Sequence, residues 1–207
     1  TNETENTYNI AKYRAQLLKD LGINMILGPV GDVADSSSFM YSRSYSNDPE
    51  VVAYHVEAEI KAYNEVGLLT AVKHFPGHGD TQTDSHKDFP YINKSKDQLS
   101  EREFVPFQKA IELDSDFIMI GHIINSKISD QPASMSPEYK SILEDEMGFE
   151  GLIITDDLKM TGEIDGGINW GLNLTIEDQN ATLTRLSSIS PEEKYVKKIL
   201  ELRYEKL

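Results

Sequence analysis

Cysteine is absent from the 207 residues of this chain. Its absence excludes disulfides, thiol nucleophiles and Cys-ligated zinc or iron–sulfur centres. Basic residues are also scarce, because 20 Lys and Arg stand against 35 Asp and Glu, which gives a net charge of −15. This balance argues against nucleic acid and anionic membrane surfaces as partners. No apolar run approaches the ~20 residues that a membrane-spanning helix needs, so we expect no membrane span.

Nucleotide-binding motifs are missing as well. Neither the glycine-rich fingerprint of dinucleotide-binding folds nor a P-loop follows any predicted strand. The chain instead shows short apolar segments that alternate with helical patterns. Strands are predicted over 23–30, 68–72, 116–120, 151–154 and, more weakly, 172–176; helices are predicted over 8–21, 49–66, 96–113, 136–148 and 190–204. This alternation predicts an α/β fold with a parallel sheet, in a single domain over residues 1–207.

Polar residues follow several of the predicted strands. They are Asp32, Lys73-His74, His122 and Asp156-Asp157. In parallel α/β folds, catalytic residues are placed at the C-terminal ends of the strands. These positions are therefore the candidates for a functional site.

The segment after the second predicted strand holds three of the five histidines of the chain. Three interpretations are open: a solvated loop, a metal site of His74, His78 and His86, or acid–base chemistry. Pro76-Gly77 opposes the regular helix that would place His74 and His78 together on a metal. In the acid–base interpretation, Asp84 orients His86 and raises its pKa, which makes the imidazole a usable proton donor.

Two adjacent carboxylates, Asp156 and Asp157, end the strand at 151–154. Buried charges of this kind are costly unless they are paired or used. Neighbouring residues of a strand point to opposite faces, so one carboxylate can face a site while the other bonds backbone or caps a helix.

The segments that carry these residues resemble the β-N-acetylglucosaminidase branch of glycoside hydrolase family 3. The resembling stretches are 73–90, 148–160, 27–33 and 42–46, and the similarity runs from residue 8 to 160 and then weakly onward. The resemblance implies a retaining exo-glycosidase that releases terminal β-linked N-acetylglucosamine. Asp156 corresponds to the nucleophile, His86 to an unusual general acid/base and Asp84 to its partner. The residues implied in sugar binding are Lys73, His74 and Arg43. No cofactor and no metal are implied.

The fold implied is a (β/α)₈ barrel of the TIM type, but the chain departs from it. Strands one and two are missing, and so is the family's Asp-Gln-Glu-Gly-Gly-Arg segment. We therefore expect an incomplete barrel, completed by a partner chain or a missing segment, with an exposed strand edge near Ile23. A protein that begins at Thr1 is expected to be poorly soluble, oligomeric or nearly inactive.

Two other functions stay open beside the hydrolase. One is a glycoside phosphorylase of the same family, because a His acid/base repels phosphate less than a carboxylate does. The other is a non-catalytic carbohydrate-binding remnant. A β-glucosidase is less favoured, since Asp84-Ser85-His86 resembles the acetamido branch. The implied substrate is a GlcNAc-containing glycan or muropeptide, as in peptidoglycan turnover. The compartment is open between the cytoplasm and the cell envelope or exterior of a bacterium.

Overall fold

A computed structural model describes residues 2–81 and 90–157 of the chain. The helices are α1 (Asn2–Asp20), α2 (Pro49–Val66), α3 (Lys96–Glu101), α4 (Phe104–Glu112) and α5 (Pro137–Ser141). The strands are β1 (Met25–Ile26), β2 (Leu69–Phe75), β3 (Phe117–Ile120), β4 (Ile124–Asn125), β5 (Ser129–Pro132) and β6 (Leu152–Thr155). Short 3₁₀ turns lie at Tyr41–Arg43 and Ala133–Met135, and a π-helix follows α5 at Ile142–Glu146. The predicted strand at 172–176 and the predicted helix at 190–204 lie outside the described residues.

Four strands form a parallel sheet in the order β1-β2-β3-β6. In its register Met25 lies opposite Leu69, Ala71 opposite Phe117, and Phe117 opposite Leu152. The predicted α/β class with a parallel sheet is thus confirmed. Within residues 2–81 and 90–157, β1 and β6 are the two edges of this sheet, so a closed barrel is not formed there.

Helix α2 has the boundaries that the sequence predicts. The Asp48 side chain accepts the N–H of Glu50 at 2.9 Å, and Pro49 occupies the first turn, where its missing N–H costs nothing. The helix ends at Gly67, whose φ of 78° lies in the left-handed region that favours glycine. Its inner face buries Val52, Val56 and Ile60 against the sheet.

The main core lies between the sheet and helices α2, α4 and α5. At its centre is the Phe75 ring, with its centroid 5.1 Å from Phe104, 5.3 Å from Phe107 and 6.1 Å from Tyr139. Burying such a side chain contributes roughly 1.5–3 kcal/mol. Since Phe75 is the last residue of β2, this packing fixes the end of the strand next to Lys73 and His74.

Several of the predicted elements differ from the observed ones. The strand predicted over 68–72 continues to Phe75, because the ladder with β3 bulges between Lys73 and Phe75 without ending. The helix predicted over 96–113 is broken into α3 and α4. Arg102 leaves helical geometry at the break, and the buried Glu103 side chain forms ion pairs with Lys94 and Arg102. The hairpin β4–β5 was not predicted, because its strands are short and polar. In the two ranges that are described, the helices are too short or too polar to cross a bilayer.

Candidate active site

The C-terminal ends of the parallel strands bring the predicted polar residues together. Beyond β1 the chain stays bonded to β2, since the Gly31 N–H donates to the Lys73 carbonyl at 2.6 Å, and this places Asp32 beside His74. At the other side the Asp156 N–H donates to the Ile120 carbonyl at 2.9 Å, which extends the pairing of β3 and β6. Four of the strand-end positions, Asp32, Lys73-His74, His122 and Asp156-Asp157, therefore meet at one edge of the sheet.

Asp32 is completely buried and is the hub of the site. Its Oδ2 lies 2.7 Å from His74 Nδ1, while its Oδ1 accepts the backbone N–H of His78 at 2.7 Å and that of His74 at 3.3 Å. Burial disfavours the charged carboxylate, but the His74 side chain and the His78 N–H outweigh it and hold the pKa of Asp32 below its usual value. An ionised Asp32 only accepts hydrogen bonds, so His74 carries its proton on Nδ1.

Asp156 presents a carboxylate whose two oxygens have different surroundings. Oδ1 accepts the N–H of Asp157 at 2.9 Å, and Oδ2 lies 3.8 Å from His74 Nε2. The side chain is 18% exposed, so a ligand can reach it at the C-terminal edge of the sheet. One oxygen is thus held in place and the other is available for chemistry.

Two cationic side chains, Lys73 and Arg43, lie near each other, and Lys73 also lies near the carboxylates of Asp156 and Asp32. Burial lowers the pKa of Lys73, the nearby Arg43 charge lowers it further, and Asp156 and Asp32 act in the opposite direction. Arg43 is exposed on the turn Tyr41–Arg43, and its Nη1 lies 3.6 Å from Met40 Sδ. A lysine and an arginine donate hydrogen bonds, so they can hold the hydroxyls of a sugar, as the resemblance implied.

His78 is also buried at this edge. Its Nδ1 bonds the Thr81 hydroxyl, and its Nε2 has no hydrogen-bond partner in the described part of the chain. Burial is the main cause that lowers the pKa of His78, so the ring stays neutral. The Nδ1 atoms of His74 and His78 are both engaged, and the described ranges contain no group of three or more His, Asp or Glu side chains placed to hold a metal.

The two remaining predicted residues, Asp84 and His86, lie outside the described residues. The chain on either side of them is joined by an ion-pair cluster. Lys94 bonds Asp80 and lies 2.7 Å from Glu103, while Arg102 lies 2.6 Å from Asp80. Glu103 is 1% exposed, so part of this cluster is shielded from solvent and from salt.

Sequence reasoning had assigned no role to Asp32 or His122. Both carried a signal, because each is a polar residue two positions after a predicted apolar strand. Their partners could not be inferred, since the Asp32–His74 contact joins residues 42 positions apart.

Comparisons with known proteins point to one family. The family model "Glycosyl hydrolase family 3 N terminal domain" matches residues 1–177. A protein of Stenotrophomonas maltophilia (strain K279a) named beta-hexosaminidase is 34% identical over 147 residues, which is 70% of this chain and 44% of that relative. The match therefore spans less than half the length of this curated relative.

Solved structures give the same result for the fold. A glycoside hydrolase family 3 β-N-acetylglucosaminidase from Paenibacillus sp. str. FPU-7 superposes with a TM-score of 0.87 at 28% identity, over 97% of this chain and 43% of that one. A fungal multi-domain β-N-acetylglucosaminidase of the same family gives a TM-score of 0.89 at 30% identity, over 98% of this chain and 27% of that one. The sheet topology, the carboxylates at its C-terminal edge and the family match over residues 1–177 lead to one conclusion: the chain belongs to glycosyl hydrolase family 3 and carries its N-terminal domain.

Proposed function

We propose that this protein is a retaining exo-glycosidase that releases terminal β-linked N-acetylglucosamine. The observation that carries the proposal is the Asp156 carboxylate at the end of β6, with Oδ1 held by the Asp157 N–H and Oδ2 directed toward His74. A retaining enzyme needs such a fixed carboxylate below the anomeric carbon. The family membership and the hexosaminidase name of the relative support this choice of chemistry.

In the first step, Asp156 Oδ2 forms a bond to the anomeric carbon while the bond to the leaving oxygen breaks. That oxygen takes a proton from His86, which Asp84 orients and keeps basic enough to serve. Water then attacks the anomeric carbon, gives its proton to His86, and releases Asp156. The roles of His86 and Asp84 rest on the sequence motif.

The sugar is bound by Lys73, Arg43 and His74. Asp32 fixes the His74 ring through the 2.7 Å bond to Nδ1, which leaves Nε2 as an acceptor for a hydroxyl proton of the sugar. The cationic Lys73 and Arg43 donate hydrogen bonds only, so they recognise hydroxyl oxygens. Recognition from both donors and an acceptor suits a polyol ligand. The proposed reaction needs no cofactor.

The substrate that we propose is a GlcNAc-containing glycan or muropeptide, which corresponds to a role in peptidoglycan turnover. The net charge of −15 argues against nucleic acid as a partner.

We further propose that the domain is part of a (β/α)₈ barrel completed by a further segment or a partner chain. On α1 the side chains of Ile10, Tyr13 and Leu17 are 60%, 70% and 48% exposed at the spacing of one helix face, and Leu21, just after the helix, is 77% exposed. Strand β1, which follows α1 in the chain, is an edge in the described sheet. An exposed apolar stripe and an unpaired strand edge are the kinds of surface that additional β/α units would cover. Sedimentation tests this, because the chain should self-associate alone and become monodisperse when the covering segment is present.

The stereochemistry of the product tests the glycosidase proposal. With 4-nitrophenyl β-N-acetylglucosaminide in non-phosphate buffer, proton NMR should show the β anomer of GlcNAc first, before mutarotation. The α anomer first would overturn the proposal. Repeating the reaction in phosphate separates hydrolysis from phosphorolysis, since a phosphorylase would release the sugar phosphate.

A further inference from the structure

His122 is buried directly after β3 and bridges two other parts of the chain. Its Nε2 lies 2.9 Å from the main-chain carbonyl oxygen of Asp157, and its Nδ1 lies 2.7 Å from Ser134 Oγ. The residue is only 2% exposed. Both ring nitrogens are therefore engaged inside the protein, and the proposed reaction uses neither of them.

These two contacts fix the tautomer of the ring. A carbonyl oxygen only accepts hydrogen bonds, so Nε2 carries the hydrogen and donates it to Asp157. Nδ1 of the neutral ring then accepts the hydroxyl hydrogen of Ser134. Burial is the main cause that lowers the pKa of His122, against the neighbouring carboxylates, so the ring remains in this neutral form.

The carbonyl that His122 holds belongs to the residue that orients the nucleophile. The N–H of Asp157 donates to Asp156 Oδ1 at 2.9 Å. On the other side, the Asp156 N–H is held by the Ile120 carbonyl at 2.9 Å. The backbone is therefore held on both sides of the Asp156 side chain. The N–H of Asp156 is bonded to Ile120, the last residue of β3, and the carbonyl of Asp157 is bonded to His122.

We propose that His122, oriented by Ser134, is a positioning residue that holds the backbone of Asp157 through its carbonyl and thereby sets Asp156 Oδ2 for attack. This inference rests on the proposed function, in which Asp156 is the nucleophile. His122 touches neither the sugar nor the reacting atoms. Its effect is on the rate of bond formation and not on the binding of substrate.

A 5-fluoro-N-acetylglucosaminyl fluoride isolates the step in question. Asp156 Oδ2 forms a bond to the anomeric carbon, and the carbon–fluorine bond breaks with the electron pair leaving on fluoride. Fluoride needs no proton, so the bond-forming step does not require His86 as an acid. Intact-mass spectrometry over time gives the limiting rate constant kinact and the half-saturating concentration KI for the protein.

His122→Leu should lower kinact by about tenfold to a hundredfold and leave KI within about threefold, because a displacement of about 1 Å at a reacting atom has effects of this size. His122→Gln should recover most of the loss, since its side-chain amide can reach the Asp157 carbonyl near the position of Nε2. Ser134→Ala removes one hydroxyl with little risk to folding and should lower kinact by about threefold to tenfold, because the tautomer loses its second anchor. Ser115→Ala is the matched control: Ser115 is a buried serine at the opposite end of β3, bonded to the Thr70 hydroxyl at 3.2 Å, and its loss should leave kinact unchanged.

Each outcome decides the inference. A wild-type rate in both Ser134→Ala and His122→Leu, with wild-type protein labelled on Asp156, would overturn the positioning role and leave the proposed function intact. Equal losses in the Leu and Gln variants would also overturn it, because the hydrogen bond to Asp157 would then be irrelevant. Failure of the wild-type protein to react when the segment that completes the barrel is present would instead refute the proposed function, and the inference with it.

Discussion

Replacing Asp32 by Asn tests how the hub of the site works. The change keeps the shape of the side chain but removes its charge. The amide oxygen can still accept the two backbone N–H groups that Oδ1 serves, so the amide NH₂ must face His74 Nδ1. His74 then has to accept at Nδ1 and carry its hydrogen on Nε2, which lies 3.8 Å from Asp156 Oδ2.

The loss of stability follows from the hydrogen bonds. Two contacts of 2.7 Å, from His74 Nδ1 and the His78 N–H, change from charge-assisted to neutral. Each such change costs about 1 kcal/mol, so we expect the free energy of unfolding to fall by about 2 kcal/mol at neutral pH. Because the pKa of Asp32 is lowered in the folded state, its contribution is present above its unfolded pKa of ~3.9 and is lost as the pH falls below it. The difference between the two proteins should therefore shrink toward pH 3.

Urea unfolding between pH 3 and 7 measures this directly, and kcat/KM on the chromogenic substrate measures the effect on the site. We expect kcat/KM to fall by about tenfold or more, because the hydrogen on Nε2 now points at the nucleophile. Asp116→Asn is the matched control: this buried carboxylate accepts the Thr70 N–H at 3.0 Å at the N-terminal end of the sheet. It should lose stability but keep its activity. A constant stability difference across the pH range would refute an ionised Asp32.

Three further perturbations test other parts of the account. His86→Ala should reduce the rate of hydrolysis far more for substrates with poor leaving groups than for activated phenyl glycosides, since only poor leaving groups need protonation. Asp84→Asn should show the same pattern more mildly. Equal losses for both kinds of substrate would exclude His86 as the acid. Gly77→Ala should lower the free energy of unfolding by about 2 kcal/mol or more, because φ at Gly77 is +122° and an added Cβ would lie 2.6 Å from Glu103 Cγ. Gly22→Ala, at φ +81° in open space, should cost less, and thermal unfolding of both variants compares them. EDTA should change neither activity nor melting temperature, whereas a loss that zinc restores would support the three-histidine metal site.

The sequence predicted those elements whose boundaries are set locally. Helix α2 has clear signals at both ends, since Asp48 caps its N-terminus, Pro49 fits its first turn and Gly67 ends it. Its predicted bounds were correct. The break between α3 and α4 was missed because it depends on ion pairs of Glu103 with Lys94 and Arg102, which no local pattern reveals. The short strand β1 was overestimated, since Pro29 has no N–H and the chain beyond Ile26 pairs irregularly with β2.

The sequence predicted which strand ends form the site, but not the hydrogen bonds within it. In a parallel sheet the strand ends meet at one edge. This general property correctly predicted that four positions lie together: Asp32, Lys73-His74, His122 and Asp156. The hydrogen bonds among them could not be predicted, because each joins residues from different β/α units. The tether from His122 to the Asp157 carbonyl spans 35 positions and depends on the register of β3 against β6.

The most direct test of the account is the location of the covalent sugar. After reaction with the 5-fluoro-N-acetylglucosaminyl fluoride, peptic digestion and tandem mass spectrometry should place one sugar on Asp156, and Asp156→Asn should remain unlabelled. Loss of this carboxylate should also reduce turnover by several orders of magnitude, as is general for removed nucleophiles. A label on Asp157, or an Asp156→Asn variant that keeps more than about a tenth of the activity, would contradict the assignment of the nucleophile.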